Sequence, residues 1–287
     1  MRARGQDRGR WALPGAVVAA FVLALGAGGW WWTAQPERAP SPVPEAAEEV
    51  LPLPPEPPRM ADSPDYEECL GKLRDDAQGA LGFAKAWEAR GGGDGARHCS
   101  ALALLGLGEA ERAAGRLEAL GGRSLAGAAA RAAVLGQAGQ AWMVAGQPVR
   151  ALGAFTLALA LAPEDVELLV DRAIAAGTMG RFAEALADAD RALAIDGQRA
   201  EALVFRAAAL RQLDRRQEAL RDIARALEIE PGSPEALLER GILRQLQGDA
   251  AGARADWESV VANSPDSGAA DLAQQNLALS EAGPARR

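Results

Sequence analysis

Three side chains in this 287-residue sequence carry the chemistry of nucleophiles and soft metal ligands: Cys69, Cys99 and His98, its only cysteines and its only histidine. A structural zinc site takes about four Cys or His ligands, so three candidates, two of them adjacent, do not make one. A thiolate with a histidine base fails as well. Adjacent residues on a helix point about 100° apart, and no acid is placed to orient the imidazole. What two cysteines can do is pair, which an oxidising compartment permits. Closing a loop of roughly thirty residues contributes about 3–4 kcal/mol in the chain-entropy account. Two small thiols buried separately are the other reading of the same residues. No phosphate loop, GxSxG elbow or HExxH helix is present. Acid pairs such as Asp188 and Asp190 read as solvated charge on a helix. No catalytic residue, cofactor or metal is expected, and the chain does not read as an enzyme.

The elements that position these residues begin with the charge pattern. The formal net charge is −8, yet residues 1–10 are basic, with Arg2, Arg4, Arg8 and Arg10 against Asp7. Everything downstream is therefore more acidic than the total suggests. An acidic body lacks the basic face that nucleic-acid binding requires. Residues 11–32 hold no charge at all, and about twenty such residues cross the ~30 Å hydrocarbon core as a helix. Trp30-Trp31-Trp32 end the run where indoles favour the headgroup layer. The positive-inside rule puts residues 1–10 in the cytoplasm and the rest outside. The expectation is a single-pass signal anchor of a bacterial inner membrane, with the C-terminal domain in the periplasm. The alternative is a cleaved signal peptide, with Gly26-Ala27-Gly28 as small processing-site residues, releasing a soluble periplasmic or secreted carrier. Residues 33–64 hold ten of the seventeen prolines and read as an extended spacer without helix.

Beyond the spacer a period of 34 residues governs the sequence. Ala151, Ala185, Ala219 and Ala253 stand 34 apart, each twelve positions after Gly139, Ala173, Ala207 or Gly241. Ala158, Ala192, Ala226 and Val260 follow seven positions later, and Pro163, Gly197, Pro231 and Pro265 break the chain five further on. Leu135, Leu169, Leu203 and Leu237 recur ahead of them, as do Phe155, Ala189, Ile223 and Trp257 behind. Two antiparallel helices approach closely only where side chains are small, larger residues fill the flanks, and the breaker ends each pair. This pattern resembles the tetratricopeptide repeat (TPR), with small residues at positions 8, 20 and 27 and proline at 32. The implied fold is an all-α helix-turn-helix solenoid preceded by one transmembrane helix. First helices fall at 132–145, 166–179, 200–213 and 234–247, and second helices at 148–161, 182–195, 216–229 and 250–263. Residues 132–265 thus make four repeats. The closing segment, 266–287, holds a capping helix at 267–281 with Ala269, Leu272, Asn276 and Leu279 at helical spacing. Within 65–131, residues 94–127 form a degenerate repeat offset by four residues around Gly121-Gly122. A lone helix with Ala77, Leu81 and Ala84 precedes it. Cys69 falls just ahead of that helix, and Cys99 in the first helix of the degenerate repeat.

The resemblance also implies a binding surface, because in the family the first helices line a concave groove. Carried over, it presents Gln137, Gln140 and Met143, then Glu167, Val170, Asp171, Ile174 and Thr178. The next repeats add Glu201, Val204, Phe205 and Arg211, then Glu235, Leu238, Glu239 and Ile242. The lysine and asparagine that clamp a peptide carboxylate in chaperone-binding members are absent: Gly136 and Gln140, Val170 and Ile174, and Val204 and Ala208 stand there. The expected partner is a basic or amphipathic protein segment lying on an apolar strip edged by carboxylates.

Overall fold

The computed structural model describes residues 59–282. The segment expected to span the membrane, 11–32, and most of the Pro-rich stretch lie outside the described residues. Among those described, no helix is long and apolar enough to cross a membrane.

Local sequence sets the punctuation. Gly108, Gly146, Gly180, Asp214 and Gly248 occupy the same place in successive repeats, and all five have left-handed φ, from 60° at Asp214 to 87° at Gly248. The amide after each reaches back to a carbonyl five residues earlier: Glu109 to Leu104, Gln147 to Trp142, Arg181 to Ala176, Arg215 to Leu210 and Asp249 to Arg244. These bonds satisfy carbonyls that a helix end leaves open, and glycine adopts the required φ without a Cβ penalty. At the opposite ends, Ser63, Asp76, Asp165, Ser233 and Asp249 each accept a hydrogen bond from an amide in the first helical turn. Pro64, Pro148 and Pro234 stand where a missing N–H costs nothing.

The helices so bounded are α1 (Pro64–Leu73), α2 (Ala77–Ala89), α3 (Gly93–Gly106), α4 (Ala110–Arg123), α5 (Ala128–Val144), α6 (Pro148–Leu161) and α7 (Val166–Thr178). They continue as α8 (Phe182–Ile195), α9 (Ala200–Gln212), α10 (Arg216–Ile229), α11 (Pro234–Leu246), α12 (Ala250–Asn263) and α13 (Gly268–Ala282). Each packs on the next in sequence. Odd-numbered neighbours also touch, α1 with α3, α5 with α7, α7 with α9, α9 with α11 and α11 with α13, whereas the even-numbered helices do so far less. Neighbours that crowd on one side and splay on the other define curvature, so the odd helices form the inner, concave side of a solenoid.

Packing at the crossings follows residue size. Ala151, Ala219 and Ala253 are fully buried and Ala185 nearly so. A Cβ on Gly139 would lie 2.5 Å from the Phe155 ring, and one on Gly241 2.3 Å from Trp257. Where the facing residue is smaller, as at Ala189 and Ile223, the partner is alanine, Ala173 and Ala207. Larger side chains face glycine and smaller ones face alanine, as close packing at interior density requires.

Four expectations change. The helix over Ala77, Leu81 and Ala84 is not alone: α1 pairs with it, making a sixth hairpin, and Cys69, ahead of α2 as expected, belongs to α1. Pro64 belongs to that helix and not to the spacer, because at a first-turn position it displaces no hydrogen bond. Gly121 and Gly122 lie inside α4, and the four extra residues lengthen α5, which has 17 residues against 13 in α7, α9 and α11. The interior glycine serves close packing, since a Cβ on Gly121 would meet Leu135 at 2.6 Å. The capping helix α13 does form, but it packs through Ala269, Ala270 and Ala273, leaving Leu272 and Leu279 exposed. Alanines let it approach α11 and α12 more closely than leucines would.

Asp188 also differs from its expected solvated state. It is buried and takes two hydrogen bonds from Arg172, at 2.8 and 2.7 Å. The same bidentate pair recurs one repeat on, Arg206 with Asp222, and again as Arg240 with Asp256. Arg206 additionally reaches Asp190 of the preceding hairpin at 3.0 Å. Each pair joins the two helices of one hairpin, and the planar guanidinium matches the carboxylate in two bonds at once.

Candidate concave binding site

At the N-terminal end of the solenoid the odd helices are tied to one another by their own side chains. Cys69 of α1 and Cys99 of α3 form a disulfide with Cα atoms 6.3 Å apart, both fully buried. Beside it the Tyr66 hydroxyl lies 2.5 Å from His98 Nδ1, while His98 Nε2 lies 2.6 Å from the Gln137 carbonyl oxygen of α5. In the neutral form that burial favours, the ring donates through Nε2 to Gln137 and accepts from the Tyr66 hydroxyl through Nδ1. Burial pushes the His98 pKa below its usual value, against the Gln137 bond, which favours the charged ring. His98 thus ties three odd helices together. Gln137, expected in the groove, is spent on this contact.

The expected groove residues divide by position. Val170, Val204 and Leu238 share one place in successive repeats, and all are buried, at 2%, 5% and 9% exposure. A Cβ at the corresponding Gly136 would meet Leu168 of the next hairpin at 2.7 Å. This position packs one odd helix against the next and is not an open wall of the groove. Met143 is half-buried against the same core. Arg211 binds Glu239 through two nitrogens, so neither is free for a partner. Gln140 is exposed and donates to Asp171 at 2.9 Å. Burial raises the Asp171 carboxyl to about 6; the Gln140 bond opposes this, and Glu201, Glu167 and Asp165 add to it. Arg199 joins Glu167 to Glu201 across α7 and α9.

Ile174, Phe205 and Ile242 remain half-buried. Phe205 is a wall common to two cavities. One, of about 680 Å³, lies at the starts of α9 and α11, lined by Arg199, Glu201, Val204, Phe205 and Glu235 together with Asp196 and Glu230 from the preceding connections. The other, of about 230 Å³, lies between α7, α8 and α9 and is lined by Ile174, Gly177, Phe182, Phe205 and Ala208, with Arg211 at its edge. Gly177 was not singled out from sequence, and Ala208 only as a residue standing where a clamp asparagine would be. Their signal was available: small residues at inward positions of consecutive repeats leave a hollow.

A profile of the tetratricopeptide repeat matches residues 205–278. Among solved structures, the first TPR domain of Spaghetti (RPAP3), determined with the HSP90 peptide SRMEEVD, is 30% identical. The match covers 41% of this chain and 93% of that one, with a TM-score of 0.39. This chain belongs to the tetratricopeptide-repeat family. PilW, a type IV pilus biogenesis factor, superposes with a TM-score of 0.59 at 18% identity, over 74% of this TPR chain and 96% of PilW. The Cut9–Hcn1 hetero-tetramer of APC/C gives 0.56 at 16% identity, over 74% of this chain and 42% of the other. A comparison with curated protein sequences finds no match.

Proposed function

We propose that this TPR protein is a membrane-tethered scaffold that holds a segment of another protein in the open part of its concave side. The observation that carries this is Phe205, a half-buried aromatic between two cavities on the inner helices. An aromatic group set in a partly desolvated hollow is the usual anchor of a protein interface. The tether is read from the uncharged run at 11–32 behind a basic decapeptide, and the compartment from the positive-inside rule. A buried Cys69–Cys99 bond is consistent with an oxidising space such as the periplasm.

A photoreactive residue at position 178, beside the apolar cavity, would capture the partner in intact cells. The captured protein, once purified, is titrated against the full-length chain and its Phe205→Ala variant. Loss of about 2 kcal/mol or more of binding is expected; equal affinity, with circular dichroism showing both folded, places the interface elsewhere. The mass of the mature chain tests the anchor separately, and loss of about 28 residues from the N-terminus overturns it in favour of a released carrier.

A further inference from the structure

The two cavities at Phe205 differ in chemistry. Among the groups lining the larger, Asp196, Glu201, Glu230 and Glu235 are acidic and Arg199 is the single cation, itself engaged by Glu167 and Glu201. Glu230 and Glu235 form no ion pair among the described residues. The smaller cavity is walled by Ile174, Phe182, Phe205 and the small Gly177 and Ala208. At about 230 Å³ it exceeds the ~150 Å³ apolar cavity that accepts benzene.

We infer that this TPR groove reads a two-part signature in its partner: a lysine or arginine side chain in the carboxylate-rimmed cavity and a large apolar side chain in the cavity across Phe205. The inference rests on the groove reading above and specifies the partner's chemistry. An arginine fits the larger cavity on two counts. Its fork makes charge-assisted bonds to Glu230 and Glu235, and its plane stacks on the exposed part of the Phe205 ring. A bare metal ion does not fit, because no cluster of three or more His, Cys, Asp or Glu suited to a metal exists among the described residues. An acidic segment is disfavoured by four carboxylates against one occupied cation, since like charges brought together across an interface repel. Apolar burial supplies affinity in the second cavity, where Gly177 and Ala208 leave room that no described residue fills. One ring wall shared by both hollows fixes the spacing of the two partner side chains, so that neither a basic nor an apolar residue alone satisfies the site.

The test is selection of a random twelve-residue peptide display library on the full-length chain in detergent micelles. It runs in parallel on the Phe205→Ala, Glu230→Gln/Glu235→Gln and Ala208→Trp variants. Peptides enriched on the wild-type chain should carry Arg or Lys at a fixed distance from Leu, Ile, Met or Phe. Synthetic copies should lose tenfold or more in affinity when the basic residue becomes alanine. The double glutamine variant should lose the preference for the basic residue while keeping the apolar one, and Ala208→Trp should do the reverse. Peptides that require Phe205 yet show no basic preference overturn the two-part signature and leave the groove reading standing. No enrichment, or enrichment indifferent to Phe205→Ala, overturns both.

Discussion

Asp214 occupies a place that four other turns fill with glycine, at φ 60°. Left-handed backbone costs an ordinary L-residue about 1–2 kcal/mol, less for aspartate, whose short side chain tolerates it. The exposed Asp214–Arg216 pair at 2.8 Å returns little of that. Asp214→Gly is therefore expected to stabilise the solenoid by about 0.5–1 kcal/mol, the relief of strain outweighing the added freedom of the unfolded chain. Urea titration checks it, and a loss of stability would mean that the Asp214 carboxylate supports the turn. The residue scale was also where sequence reading was most accurate. Gly139 and Gly241 face Phe155 and Trp257 because helix separation is a local matter of volume, and volume is written in the residue type. Val170 was misread for the opposite reason. Whether an inward position is open depends on the neighbouring hairpin, and only the fold shows that Val170, Val204 and Leu238 are covered.

At the scale of the hairpin, the Arg–Asp pairs decide cohesion. Arg172, Arg206 and Arg240 stand 34 apart, and so do Asp188, Asp222 and Asp256. That doubled period was visible, yet a carboxylate on a helix defaults to solvent unless a partner sixteen residues away is sought. In Asp222→Ala the Arg206 guanidinium loses its bidentate acceptor, keeping only Asp190. About 2–3 kcal/mol of destabilisation is expected, somewhat less than for a fully buried pair because Arg206 retains some exposure. Glu218→Ala, which removes an exposed pair with Arg215, serves as the comparison and should change far less. Equal effects would mean the buried pairs contribute specificity and not stability. The helix α1 was missed because it is ten residues long and opens on a proline that also reads as the end of the spacer. The outward leucines of α13 misled because spacing shows a stripe but not which stripe meets the neighbour.

Across the whole molecule, two groups give its N-terminal and middle parts opposite responses to acid. His98 has a pKa lowered by burial, so the unfolded chain binds the proton more readily. Its contribution to stability is present above about pH 6.5 and is lost as pH falls through the folded value. Asp171, raised to about 6, runs the other way, adding stability as pH falls through that value toward the unfolded one. Hydrogen exchange at pH 7.5 and 5 should therefore show α1, α3 and the start of α5 opening more readily at the lower pH, without a matching loss in α7. Uniform loosening along the solenoid would show that overall charge, and not the Tyr66–His98–Gln137 chain, sets the acid response.

The disulfide has a mechanical consequence. A solenoid pulled from its two ends yields by peeling hairpins, and the terminal hairpin α1–α2 would be the first to part. Cys69 and Cys99 are 30 positions apart in sequence, with Cα atoms 6.3 Å apart. Load arriving at the start of α1 passes across the sulfurs into α3 and never reaches the connection to α2. Intact, the bond removes about 100 Å of extensible contour from the unravelled chain, at ~3.4 Å per residue. Optical-tweezer traces of the chain pulled from its ends should lengthen by that amount when reductant is added. The first unfolding step should then move to lower force. Traces identical with and without reductant would mean that the two sulfurs are not joined. A protein hung by its N-terminus and loaded by a partner near Phe205 would thus carry tension through a covalent shortcut at its most stressed hairpin.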